Sequence, residues 1–182
     1  MVEEIKGFEI EIDKDEVCRH LGYRGNRGPN SSISTLIDKE MDNAYQLIEP
    51  SCFYQIKEIK AVMDSQIFLE DSLVVEGRVL GKVLSRCQQA VIFLATIGSA
   101  LEDRVSQLMR RRRILKATIL DSIGSEAAEK TACYLQDRVQ ELAASDSAEI
   151  TLRYSPGYCD WGTTRRRGLS QAMNSAPLAV SL

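Results

Sequence analysis

The sequence has one histidine, no Cys-x-x-Cys pair, no Gly-x-Gly-x-x-Gly and no long apolar run. Each absence removes a class of function. With His20 alone and no nucleophile motif beside it, a Ser-His-Asp or Cys-His hydrolase is disfavoured. Cys18-Arg19-His20 supplies two ligands where zinc wants four, or three plus water. The five cysteines, Cys18, Cys52, Cys87, Cys133 and Cys159, are odd in number and widely spaced. They suit neither a disulfide framework nor a metal site, and reduced thiols fit a cytoplasmic setting. A membrane span needs roughly 20 apolar residues, and no stretch approaches that. The opening Met1-Val2-Glu3-Glu4 is acidic, unlike a signal peptide. Lys and Arg total 23 against 26 Asp and Glu, a net charge of -3, so the basic surplus required for nucleic-acid binding is missing. Without a Gly-rich turn after a strand, a Rossmann site has no support.

What is present is an ordinary soluble balance, 44% hydrophobic and 27% charged, in 182 residues. That length suits one domain with a sizeable core over residues 1–182. Phe8 to Ile12 alternates apolar and polar, which predicts a strand, and Asp13 to Leu21 a short helix. Gly22 to Asn30 is a loop by composition. Ser31 or Ser32 can cap a helix whose apolar positions Ile33, Leu36, Ile37, Met41, Ala44, Leu47 and Ile48 recur at helical spacing before Pro50. Cys52–Ile59, Gln66–Leu69 and Leu73–Glu76 read as strands, with a turn near Met63-Asp64-Ser65, and Leu80–Ser85 as a helix. Ala90–Ile97 is an apolar run of strand length, expected to be central and buried on both faces. Ser99 to Ala144 is helical, broken near Arg111–Arg113; the basic run Arg110–Arg113 reads as a solvated helix end. Asp146-Ser147 makes a turn, and Glu149–Arg153 predicts a last strand. Strands, then helices, then strands favour an α+β domain with an antiparallel or mixed sheet.

Two places hold candidate chemistry. On the long helix lie Asp121, Glu126 and Glu129. Glu126 and Glu129, three apart, share a face, and Glu126 follows Ile119 and Ile123 at helical spacing. They form either a solvated face or a carboxylate that meets a cationic ligand such as an ammonium or sulfonium. Gly124 and Ser125 beside them let a backbone or ligand come close. The second place is Arg153-Tyr154-Ser155-Pro156-Gly157-Tyr158-Cys159-Asp160-Trp161. Arginine's planar fork grips a carboxylate, and a Pro-Gly turn presents backbone groups free of side chains. The segment is either such a site or a turn whose aromatics pack on the core.

Arg153, Pro156, Gly157 and Tyr158 match an Arg-x-x-Pro-Gly-Tyr signature, extended by Ser155, Asp160 and Trp161. In this the chain resembles the activation (reactivation) domain of cobalamin-dependent methionine synthase, especially its short stand-alone relatives. Leu21-Gly22-Tyr23-Arg24-Gly25, Ala95-Thr96-Ile97-Gly98 and Asp121–Glu129 agree more loosely. The resemblance implies an α+β domain around a twisted, mainly antiparallel sheet that binds S-adenosylmethionine in a shallow groove. It implies a part in a methyltransferase, rescuing cob(II)alamin by one electron and a methyl group. Arg153 would hold the methionine carboxylate, the backbone through Ser155, Pro156 and Gly157 the adenine or ribose, and Tyr158 the cobalamin face. Glu126 would lie near the ligand, with Ser125 or Glu129 as alternatives. Cobalamin would arrive on a partner, a methionine synthase core or other corrinoid protein, with a reducing partner such as a flavodoxin. A non-catalytic module that senses S-adenosylmethionine or docks on a corrinoid protein is the competing reading. Family members continue beyond Tyr158 into further strands, with a Pro-x-Lys-Ser-like stretch, for which no counterpart stands before Leu182.

Overall fold

In a computed structural model the described residues are 1–25 and 27–156. Their elements run β1 (Glu3–Lys6), α1 (Lys14–His20), α2 (Ser31–Tyr45), β2 (Ser51–Met63), β3 (Gln66–Leu69), a 3-10 turn (Glu70–Ser72), β4 (Val74–Glu76), α3 (Arg78–Leu84), β5 (Gln89–Thr96), α4 (Ala100–Arg110) and α5 (Ile114–Ser145). The class is α+β. The chain divides into two compact units. One takes Met1–Glu4, Phe53–Leu94 and the chain from Arg138 on; the other takes Ile5–Cys52 and Ala95–Asp137.

The first unit is built on a sheet of order β1-β2-β3-β4, with β5 also paired to β2. β2, β3 and β4 run antiparallel, as a tight turn dictates: Asp64, at φ of 53°, lets Met63 face Gln66. β2 is irregular between Ile59 and Ala61, a bulge that shifts the register of its pairing with β3. Ile67, Leu69, Val75 and Leu80 form the buried cluster, flanked by Ile59, Val62, Leu73, Leu84, Ala90, Ile92 and Tyr154. α3 packs tightly because Gly81 has no side chain: a Cβ there would stand 2.8 Å from the Asp64 carbonyl oxygen.

The second unit is helical. Asp13 caps α1 by accepting from the Asp15 amide, with acids in the first turn and Arg19 and His20 in the last. Its core joins Ile12, Val17, Ile37, Ala44, Ile97, Leu101, Leu108, Ala117, Ile119, Leu120, Ile123 and Ala127. α4 closes on a Schellman motif. The Arg113 amide donates to Leu108 O and the Arg112 amide to Met109 O, with Arg112 left-handed at φ of 57°. Glycine suits that position; arginine strains it.

Several sequence expectations need correction. Phe8–Ile12 is not a strand; the first strand is Glu3–Lys6. The alternation is nonetheless real. Phe8 stacks on Tyr134, Ile10 and Ile12 pack into the helical core, and the Ile12 amide donates to the Tyr45 hydroxyl instead of to a ladder. Asn30, not Ser31 or Ser32, caps α2, accepting from the Ile33 amide. β5 is half-buried along its length rather than covered on both faces; among the described residues it pairs with β2. An apolar run reports affinity for a core, not how many faces the core covers. Glu149–Arg153 is not a strand either. Leu152 is 76% exposed, so the apolar residues that suggested a buried face do not share one.

Two substitutions test this packing. Gly81→Ala is expected to destabilise by about 1–3 kcal/mol in urea unfolding, because a backbone carbonyl must move. Arg112→Gly is expected to stabilise by about 1 kcal/mol through relief of the left-handed strain. An unchanged or lowered midpoint for Arg112→Gly would contradict the Schellman reading.

Candidate functional site

Of the residues singled out in the sequence, Arg153, Ser155 and Pro156 fall in the first unit, Glu126 and Glu129 in the second. Gly157 and Tyr158 lie outside the described residues. Tyr154 packs against the apolar cluster of the first unit and so fixes the segment that carries Arg153. Arg153 is half-buried and Ser155 exposed.

The second unit assembles a charged cluster. Glu126 is 3% exposed, as its spacing from Ile119 and Ile123 implied. Glu129 is exposed, so the two carboxylates three residues apart do not share an environment. Helical rotation between them is enough to put one under the core edge and the other in water. Two basic side chains face Glu126: Lys130 Nζ lies 3.6 Å from Oε1 and His20 Nε2 3.7 Å from Oε2. The Glu126–Lys130 pair is legible as an i, i+4 spacing. His20 carries no such signal, because α1 brings it in from far along the chain. Beside the cluster is an open depression of about 460 Å³ lined by Glu16, Arg19, His20 and Arg24. Arg19 pairs with Glu16 on the same helix. The wall thus presents cations at its mouth and places a buried carboxylate behind His20.

Other perturbed groups serve structure. The hydrogen bond to Glu3 (2.5 Å), then burial, push the Tyr54 hydroxyl up to about 12. Burial pushes the Cys52 thiol up to about 11. Asp71 holds the Lys57 ammonium above its usual value, and Lys57 holds Asp71 below. That pair, at 2.5 Å, ties the left-handed Asp71 to β2. Buried Glu40 accepts from Lys116 at 2.7 Å. Among the described residues no group of three His, Cys, Asp or Glu could hold a metal ion, and no helix is long and apolar enough to cross a membrane.

No protein-family model matches this sequence, and no curated protein does. Among solved structures, the chain is similar to the MetH reactivation domain bound to AdoHcy. The TM-score is 0.65 at 14% identity, over 96% of this chain and 70% of that one. The two share a fold: helices with an antiparallel sheet, as the α+β reading of the sequence implied.

The Glu126 cluster makes an asymmetric prediction. Its partners Lys130 and His20 are partly exposed, at 37% and 42%, and return to water if the carboxylate is lost. Glu126→Leu is therefore expected to cost under about 1 kcal/mol. The pair His20→Ala with Lys130→Ala strands a buried carboxylate and is expected to cost about 3 kcal/mol in urea unfolding. Equal costs would show that Glu126 is not held by these two side chains.

Proposed function

We propose that the chain is an S-adenosylmethionine-binding module of the reactivation type. It would support reductive methylation of cob(II)alamin carried by a separate methionine synthase core or other corrinoid protein. One observation carries the reading: a solved structure that shares this fold is bound to AdoHcy, and this chain has Arg153-Tyr154-Ser155-Pro156-Gly157-Tyr158. AdoHcy is what remains of S-adenosylmethionine once its methyl group has left.

The chain's side chains supply what such a ligand needs. The ligand carries a carboxylate, an ammonium and a sulfonium. In this proposal Arg153 holds the carboxylate through its planar fork. Arg153 is half-buried and directly precedes Tyr154, which anchors in the apolar cluster, so its backbone is held in place for that task. The backbone at Ser155, Pro156 and Gly157 meets the adenosine, and Tyr158 faces the corrin. For the cationic part the resemblance alone nominates Glu126, which lies in the other compact unit; Glu129, being exposed, is the weaker choice, and Ser125 remains the alternative. Reduced cobalamin would supply the nucleophile, with the electron coming from a reducing partner such as a flavodoxin. The protein's share is then to hold the methyl group in line and keep water away, which needs no catalytic histidine or metal. A cytoplasmic location belongs to the same proposal.

Isothermal titration with S-adenosylmethionine tests it. Wild type is expected to bind, and Arg153→Ala to bind about 10- to 100-fold more weakly, the loss of a charge-assisted pair. No binding by wild type would sink the proposal. Binding without methylation of cob(II)alamin under reducing conditions would assign the chain to the sensing or docking role instead.

A further inference from the structure

The turn between α4 and α5 reads Met109-Arg110-Arg111-Arg112-Arg113-Ile114-Leu115. All four arginines are exposed, as their run in the sequence implied. The apolar residues that bracket them are exposed as well: Met109 by 50%, Ile114 by 53% and Leu115 by 52%. Leu108, one residue before Met109, and Ala117, two beyond Leu115, are buried. The change from core to open apolar surface is therefore abrupt. Lys116 is committed to the buried Glu40, which fixes the base of the turn. Arg112 holds the left-handed position that glycine occupies with less strain. A fold that needed only to end a helix has no use for arginine there.

From these observations we propose that this helical tip is a docking surface for a protein partner with an acidic, apolar-centred face. Arginine and methionine are enriched in such interfaces, and arginine forks fit carboxylates in pairs. Three half-exposed apolar side chains flank the arginines in the same turn and supply its apolar component. Charge selects the class of partner. The chain as a whole is negative, at -3, so with these arginines set aside the remainder is more negative still. A flat anionic membrane or a long nucleic acid carries charge over an extended area, and a chain with a net charge of -3 has no overall attraction for it. A protein with a bounded acidic patch can meet the tip alone. The inference is independent of S-adenosylmethionine binding.

The test uses the full chain and fluorescence anisotropy with three probes. These are a helical peptide with glutamates on one face and leucines on the other, a glutamate-only peptide of equal length, and vesicles of phosphatidylserine with phosphatidylcholine. The amphipathic peptide is expected to bind, and to weaken with added salt. Replacing all four arginines by glutamine is expected to weaken it about tenfold or more, and Ile114→Ser to weaken it as well. Arg112→Gly, which folds without strain, is expected to weaken it about threefold, so a loss of binding cannot be a loss of folding. Three results would overturn the proposal: binding unchanged by the arginine replacements, equal binding of the glutamate-only peptide, or tighter binding to the vesicles than to the amphipathic peptide.

Discussion

The helical half of the molecule depends on one close approach. At Gly124, in the middle of α5, a Cβ would stand 2.9 Å from Leu101 Cδ2 and 3.7 Å from Ile97 Cδ1. A helix of 32 residues accepts glycine at its centre at a cost of about 1 kcal/mol relative to alanine. Here that cost is offset by burial: Leu101, Ile119, Leu120 and Ile123 are almost wholly excluded from water around it. Ala117, Ala127 and Thr131 keep the same helix slim at neighbouring buried positions. With neighbouring elements drawn this near, Glu126 lies beneath the surface and His20 at the end of α1 can reach it. The charged cluster is thus a by-product of small residues on α5.

Much of the fold was readable because it rests on local rules. The break at Arg111–Arg113, the strand Gln66–Leu69 and the turn at Asp64 each follow from a few adjacent residues. The misreadings share a cause. Phe8–Ile12 has the alternation of a strand, yet its partners are helices, and alternation records which side chains are covered but not what the backbone bonds. Glu149–Arg153 repeats the lesson with Leu152 left in water. For the candidate site, the inward turn of Glu126 and its pairing with Lys130 lay in the helical period. The approach of His20 did not, since a contact across more than a hundred residues leaves no trace in a single sequence. Tyr154 bears out the packing alternative for the aromatics of its segment, since it lies against the apolar cluster of the sheet unit.

Polar groups within the buried layers follow one pattern. Lys57 with Asp71, Glu40 with Lys116 and Glu126 with Lys130 and His20 each join a buried member to a more exposed one. Such pairs avoid the full desolvation of two ions while still fixing a turn or a helix against its neighbour. They act as registration pins rather than as large sources of stability.

The division of the chain also bears on how the protein is born. Neither compact unit is a continuous stretch: the sheet unit takes three segments and the helical unit two, interleaved along the sequence. While the ribosome is still delivering β3 and β4, the helices that complete the other unit do not yet exist. The first helical unit to close must wait for Asp137, and the sheet unit for the chain beyond Arg138. Nascent Ser51–Met63, a long strand rich in aromatic and β-branched residues, therefore waits for β5, complete only at Thr96, as the last of its strand partners among the described residues. It is the stretch for which a holding chaperone would matter most.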